Sequence, residues 1–189
     1  IYSRAMVQNL NAQMVGGKTL SEILAGLNYV GQKASYTVAG SAVQQIDFTG
    51  LDINTDLFYK VFMKVLNSDA SSSYYDVYVN DDTTRTNYYS QYLDRSGAAL
   101  TYNRENNPVI GYCENGTEMV NIGTIMRDVT GYYRAIFTHN WKRGNALIQS
   151  DRAVVKTATV TNITKLTFKA EQASGFGIGS QILLYCNMP

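Results

Sequence analysis

His139, the only histidine of the chain, lies in Thr138–His139–Asn140–Trp141, and nucleophilic catalysis would need it as the base beside a serine or cysteine. No G-x-S-x-G turn is present to expose such a serine, and Cys113 sits in no recognisable catalytic context. His139 is therefore expected at the surface or at a strand end. One histidine and two distant cysteines cannot close a zinc site. Asp76, Asp81 and Asp82 could offer oxygens to calcium, but their spacing lacks the calcium-loop pattern, and solvated acidic loop residues are the plainer reading. Glu105, Glu114 and Glu118 lie in or beside a polar central region, where a glycosidase would need two carboxylates at a fixed separation. Nothing singles out a pair. Gly175–Phe176–Gly177–Ile178–Gly179 lacks the Lys-Ser/Thr of a phosphate loop and reads as a flexible turn into a strand. Asn115–Gly116–Thr117 and Asn162–Ile163–Thr164 match the glycosylation triplet, which matters only in a secretory pathway. These residues lead us to expect no catalytic centre, no metal and no cofactor.

Tyrosine is the clear excess, at 15 residues, and it pairs a large apolar ring with a hydroxyl that needs a partner. Tyr74, Asp76 and Tyr78, then Tyr88, Tyr89, Tyr92 and Arg95, fall on strands expected to be neighbours. Aromatic faces with polar side chains beside them suit a sugar or a partner protein. The competing reading is structural: about half of these rings must face the core of a sandwich.

Charged residues make up 16% of the chain, below the usual ~25%, and the formal charge is +1 without a run of one sign. A nucleic-acid groove, which needs clustered Lys and Arg, is not expected. No apolar stretch approaches the ~18 residues of a membrane span. Cys113 and Cys186 read either as buried free thiols or as one bridge, so they fix no compartment. The sequence opens on Ile1 rather than Met, as a trimmed or cleaved chain would.

The elements come next. Met6, Leu10 and Met14, then Leu20, Ile23, Leu24 and Leu27, recur at helical spacing on either side of Gly16–Gly17. Thr19 and Glu22 fit a capping box. Two short helices, or one helix and an ordered arm, are expected over 1–33, too short to stand alone in water. Their apolar stripes must dock on the domain, on sister chains or on a partner. From residue 34 the period changes to two. Ser35–Ala39 and Val43–Phe48 read as a hairpin about Gly40–Ser41. Leu57–Leu66 is the strongest strand, with Tyr59, Val61, Met63 and Val65 on one face. Ser73–Asn80, Tyr88–Leu93, Val109–Cys113, Glu118–Met126, Tyr132–Asn140, Ala153–Val160, Lys165–Lys169 and Gln181–Cys186 follow, with 94–108 read as polar loop. Strands at this spacing without helices between them predict one mainly β domain, an antiparallel β-sandwich over 34–189.

Asn162–Ile163–Thr164–Lys165–Leu166–Thr167–Phe168, followed by Ser174–Gly175–Phe176–Gly177–Ile178–Gly179–Ser180–Gln181–Ile182–Leu183–Leu184–Tyr185, resembles the ending of many tailed-phage virion domains. Tyr59–Lys60–Val61–Phe62 and Tyr88–Tyr89–Ser90–Gln91–Tyr92 look like their earlier strands. The resemblance spans roughly 35–186 and is distinctive only in its last part; the Cys186–Asn187–Met188–Pro189 tail departs from it. It implies a jelly-roll-like sandwich, often a homotrimer, with an N-terminal anchor, serving as head decoration, head fibre or tail-fibre component. The expected place is the virion, with sister copies, capsid shell or other virion proteins as partners and Met6, Leu10, Met14, Leu20, Ile23, Leu24 and Leu27 as the anchor. The alternative is a module that binds carbohydrate or a receptor, taking a host-surface glycan on the tyrosine faces. A depolymerase is the third and least supported reading.

Overall fold

A computed structural model describes residues 29–96, 99–144 and 146–188. The seven residues read as an anchor lie outside that range. Among the described residues the chain is mainly β, with two antiparallel sheets packed face to face and one four-residue helix, α1 (Ile53–Asp56). The strands are β1 (Tyr29–Thr37), β2 (Gln45–Thr49), β3 (Phe58–Leu66), β4 (Ser73–Val79), β5 (Tyr88–Ser96), β6 (Ala99–Glu105), β7 (Val109–Cys113), β8 (Glu118–Arg127), β9 (Tyr132–Arg143), β10 (Ala146–Thr159), β11 (Lys165–Ala170) and β12 (Gln181–Met188). The larger sheet runs β1-β12-β3-β8-β9-β10-β5-β6, and the smaller runs β2-β11-β4-β7. Because β1 starts at Tyr29, residues 29–33 belong to the sheet and not to the segment before it.

The winding is simple once the pairs are read from the outside in. β1 pairs with β12, β2 with β11, β3 with β8 and β4 with β7, all antiparallel. Eight strands thus form one nested hairpin, rolled so that successive pairs fall in opposite sheets, and β12–β3 and β11–β4 contacts close the roll. That is the jelly-roll arrangement. Two further hairpins are inserted into it, β5–β6 between β4 and β7, and β9–β10 between β8 and β11. They pair with β8 and with each other, so the larger sheet is extended by a four-strand overhang, of which β9 and β10 still pack against β7.

The hairpin expected from 35–48 does not form. After Thr37 the chain crosses from the larger sheet to the smaller, held by Val38 N–H donating to Ser180 O (2.9 Å) and Val43 N–H to Phe176 O (2.9 Å). Alternation alone finds both strands but not their partners, because register and sheet membership depend on what each apolar face can cover.

The core lies between the rolled sheets. Tyr59, Val61, Met63 and Val65 on β3, Ile182 and Leu184 on β12, and Phe48, Val77, Leu166 and Phe168 on the smaller sheet are buried. Phe48 and Phe168 meet edge to face at 5.9 Å. Cys113 and Cys186 are both buried and unbridged. The glycine turn before β12 is where it was expected, and two of its glycines are obligatory. Gly179 has φ +87°, and a Cβ on Gly177 would stand 2.8 Å from Leu66 O. The close approach lets Gly177 N–H donate to that carbonyl and lets Phe176 fill the interior.

Candidate functional site: a cleft under the overhang

The tyrosine set chosen from the sequence does not form one surface. β4 and β5 belong to different sheets, so their rings are not neighbours on a common face. Tyr78 and Tyr88 are buried and meet edge to face at 5.6 Å, and Tyr88 continues to Tyr133 at 6.2 Å. Burial pushes both phenols well above their usual range. Asp76 is buried too, accepts from Tyr78 Oη (2.7 Å) and pairs with Arg85 (3.1 Å); burial raises its carboxyl despite that guanidinium. Tyr89 and Arg95 point out of the opposite, outer face, Arg95 in an ion pair with Asp151 at 2.7 Å. Only Tyr74 and Tyr92 reach a shared site.

The acidic residues weighed for calcium also separate. Asp81 pairs with Lys165 (2.6 Å) and Asp82 with Lys156, and among the described residues no cluster of ligating side chains could hold a metal. His139 is neither at the surface nor at a strand end. It is fully buried within β9, its ring stacked on Trp141 at 4.7 Å. The reason is topological: that part of the inner face of β9 packs against β7.

Antiparallel register explains what gathers there. Residues directly opposite share a face, so Asn121 (β8), His139 (β9), Ser150 (β10) and Asp94 (β5) form one continuous row across four strands. The adjacent row is Gly123, Phe137, Arg152 and Tyr92. Polar residues on an inner face are uncommon unless they find partners. Here Asn121 Oδ1, both His139 nitrogens, Ser150 Oγ, Asp94 Oδ1, Arg152 Nε and Nη1, and Trp141 Nε1 have none among the described residues.

Where the row emerges it opens into a cleft of about 270 Å³ between the overhang and the edge of the smaller sheet. Arg152, only 4% exposed, lies across the Tyr92 ring with 4.5 Å between guanidinium carbon and centroid. Burial lowers its affinity for the proton, with Asp94 and Glu105 opposing, but a guanidinium stays charged. Glu105 is fixed from outside: Asn107 Nδ2 donates to it (2.7 Å), and Ser90 Oγ donates to Asn107 (2.8 Å). Tyr74 and Tyr112 form the opposite wall with ring centroids 5.0 Å apart, and Tyr112 meets Trp141 edge to face at 5.6 Å.

This arrangement can bind but is poorly built for nucleophilic attack. In the register row Ser150 stands between His139 and Asp94, so the carboxylate cannot orient the imidazole, and no hydrogen bond joins the three. Burial, with Arg152 nearby, holds His139 well below its usual pKa and therefore neutral. The cleft's residues come from six strands, and no spacing in the sequence connects them. Glu105 and Trp141 stood out only as a carboxylate and an aromatic, while Asp94, Tyr112 and Arg152 carried no signal at all.

Comparison with known proteins adds no relative: no family model, no curated protein and no solved structure matches the chain.

Proposed function

We propose that this chain is a non-enzymatic domain of a tailed-phage virion, of the head-decoration or fibre kind, that recognises a carbohydrate through the cleft under its overhang. The observation that carries the recognition role is the convergence on one cleft of a buried Arg152 stacked on Tyr92, two carboxylates and an aromatic wall. Such a mixture of flat apolar rings and a few fixed polar groups is how pockets orient a small ligand. The virion setting rests on the C-terminal motif, whose glycines are used as a strand-closing turn here, and on the jelly-roll winding that the resemblance implies.

Packing against sister copies is supported by the outer face of the larger sheet. Phe62, Val120, Ile122 and Ile136 stand exposed on adjacent strands there, and contiguous apolar surface of that kind marks contact sites. Met6, Leu10, Met14, Leu20, Ile23, Leu24 and Leu27 complete the reading as an anchor to the shell or fibre.

A glycan array probed with the full chain and with Tyr74→Ala tests the recognition role. Binding lost in the variant with an unchanged melting temperature supports it; an array without signal overturns it. Sedimentation of the full chain and of a form lacking residues 1–28 tests assembly, with a homotrimer expected and a monomer in both overturning that part. Incubation of the full chain with host capsule or cell wall should leave the polymer intact; shortened chains would show a depolymerase.

A further inference from the structure

We infer that residues 20–27 dock on their own domain, in a hollow on the outer face of the larger sheet, at the end where β1 begins. The occupant is the stretch carrying Leu20, Ile23, Leu24 and Leu27, laid on the sheet by its apolar side. This divides the segment read above as an anchor and leaves Met6, Leu10 and Met14 to reach a shell or fibre.

The hollow measures about 460 Å³ and is lined by Leu57, Phe58, Lys60, Thr124, Met126 and Arg127. Phe58 and Met126 stand opposite each other on β3 and β8. On β1, Gly31 is opposite the buried Cys186, so Val30 beside it points outward onto the same face. Val30, Leu57 and Met126 are left 56%, 58% and 37% exposed. Leu57 is also strained. Its φ of +64° is a left-handed conformation that leucine seldom adopts, fixed by its N–H donating to Ile53 O (2.9 Å). An outlier that turns a leucine toward water makes sense where something covers that leucine. Val129, fully exposed, heads the turn just beyond Arg127. That turn is rigid, because Asp128 Oδ1 accepts from Thr130 N (3.0 Å) and Tyr132 N (2.9 Å). Apolar side chains gathered at one end of a face on fixed backbone mark a contact surface.

Distance selects the occupant. β1 is the edge strand, and Phe58 and Met126 stand two and three strands away, about 10 and 14 Å at the usual spacing. Leu27 precedes Val30 by three positions, a reach of about 10 Å, and Leu24 precedes it by six. The chain thus meets the hollow with its apolar stripe and needs no linker to do so. At helical spacing Lys18 and Glu22 fall on the opposite side of that stripe, so only one side needs cover. A sister copy would have to bring its own β1 edge to the same place.

Hydrogen exchange on the full chain tests this, because it reads residues 20–27 separately from the sandwich. Their amides are expected to exchange about tenfold or more slowly than an unstructured chain of the same sequence. Met126→Asp should remove that protection while β9 and β12 keep theirs. If Met126→Asp does not fold, Leu57→Asp replaces it, since aspartate tolerates a left-handed backbone. Exchange over 20–27 as fast as in an unstructured chain overturns the docking. Protection that survives the substitution overturns the site. Protection that falls when the chain is diluted about a hundredfold gives the hollow to a sister copy's segment and overturns docking within one chain. No shell, fibre or saccharide enters the measurement, so this inference and the proposed function can each fail without the other.

Discussion

Lys156 and Arg152 stand four residues apart on the same inner face of β10, both almost fully buried, each with its cation over a tyrosine ring, yet they are handled in opposite ways. Lys156 pairs with Asp82, whose carboxylate also accepts two bonds from Asn87 Nδ2 at 3.0 Å, and Tyr88 Oη donates to Asp82 O (2.8 Å). The loop after β4, with its 3₁₀ turn at Arg85–Asn87, brings Asp82 and Asn87, and Tyr88 opens β5 directly after it. Toward the other end Arg152 lines the cleft, and among the described residues its Nε and Nη1 have no hydrogen-bond partner. A buried charge is tolerated where it is paired, and one held without a partner inside a protein is a mark of a site that expects a ligand. The same strand thus seals the sandwich at one end and opens it at the other.

Four measurements would break or sharpen that contrast. The largest effect belongs to the fully covered roll, which sets the scale: Phe168→Ala should cost about 3–5 kcal/mol by removing a ring wholly enclosed between the sheets. Chemical denaturation reads it, and a loss below about 1 kcal/mol would mean the roll is looser than its burial implies.

Lys156→Met comes next, at about 3 kcal/mol, because it leaves the partly buried Asp82 carboxylate without its cation. Burial pushes the Asp82 carboxyl up, but Lys156 and Asn87 together hold it below its usual value. A carboxyl lowered in the folded state stabilises above the unfolded value of about 4 and loses that contribution as pH falls further. The acid-unfolding midpoint of Lys156→Met should therefore lie at higher pH than that of the unaltered chain. An unchanged midpoint would mean that the pair does not form.

His139 tests the open end through a linkage of the same sign, set in a higher pH window. Its imidazole is held neutral when folded and gains a proton on unfolding below about pH 6.5, so stability should fall as pH drops below that value. The slope is at most about 1.4 kcal/mol per pH unit for one proton. His139→Phe removes a proton-binding group while keeping a ring against Trp141, and it should flatten stability between pH 6.5 and 5. If the two proteins keep parallel profiles across that window, His139 is not buried neutral.

The smallest change is expected at the cleft. Arg152→Met should alter stability by under about 1 kcal/mol, since relief of a desolvated charge offsets the lost stacking on Tyr92 and the lost attraction to Asp94 and Glu105. A loss near that of Lys156→Met would show that Arg152 is paired after all and would close the contrast.

How far each region could be read from the sequence follows the same division. On β3 the alternation of Tyr59, Val61, Met63 and Val65 with Phe58, Lys60, Phe62 and Lys64 assigns the strand and its buried face correctly. On β9, Tyr133, Ala135 and Phe137 against Tyr132, Arg134 and Ile136 is equally clear, with Ile136 standing outside. The signal fails where the overhang begins to serve the cleft. β10 starts at Ala146, well before the expected Ala153, because Gln149, Ser150, Asp151 and Arg152 are polar on both faces. β6 lies wholly inside 94–108, read as loop, because as an edge strand it buries almost nothing. A binding face that must present polar groups inward erases the periodicity by which strands are found.

Residue order by itself determined a single mainly β sandwich, most of its strands, the inner faces of those that wrap the roll, and the glycine turn that closes it, because burial of apolar side chains imposes a period of two wherever one face is dry. Tertiary structure alone decided that the first two strands part into different sheets, that two inserted hairpins widen one sheet beyond the other, and that Asp94, Glu105 and Arg152 meet. Those outcomes depend on cross-strand register between residues up to dozens of positions apart, and register is set by the fit of whole faces rather than by any local run of residues.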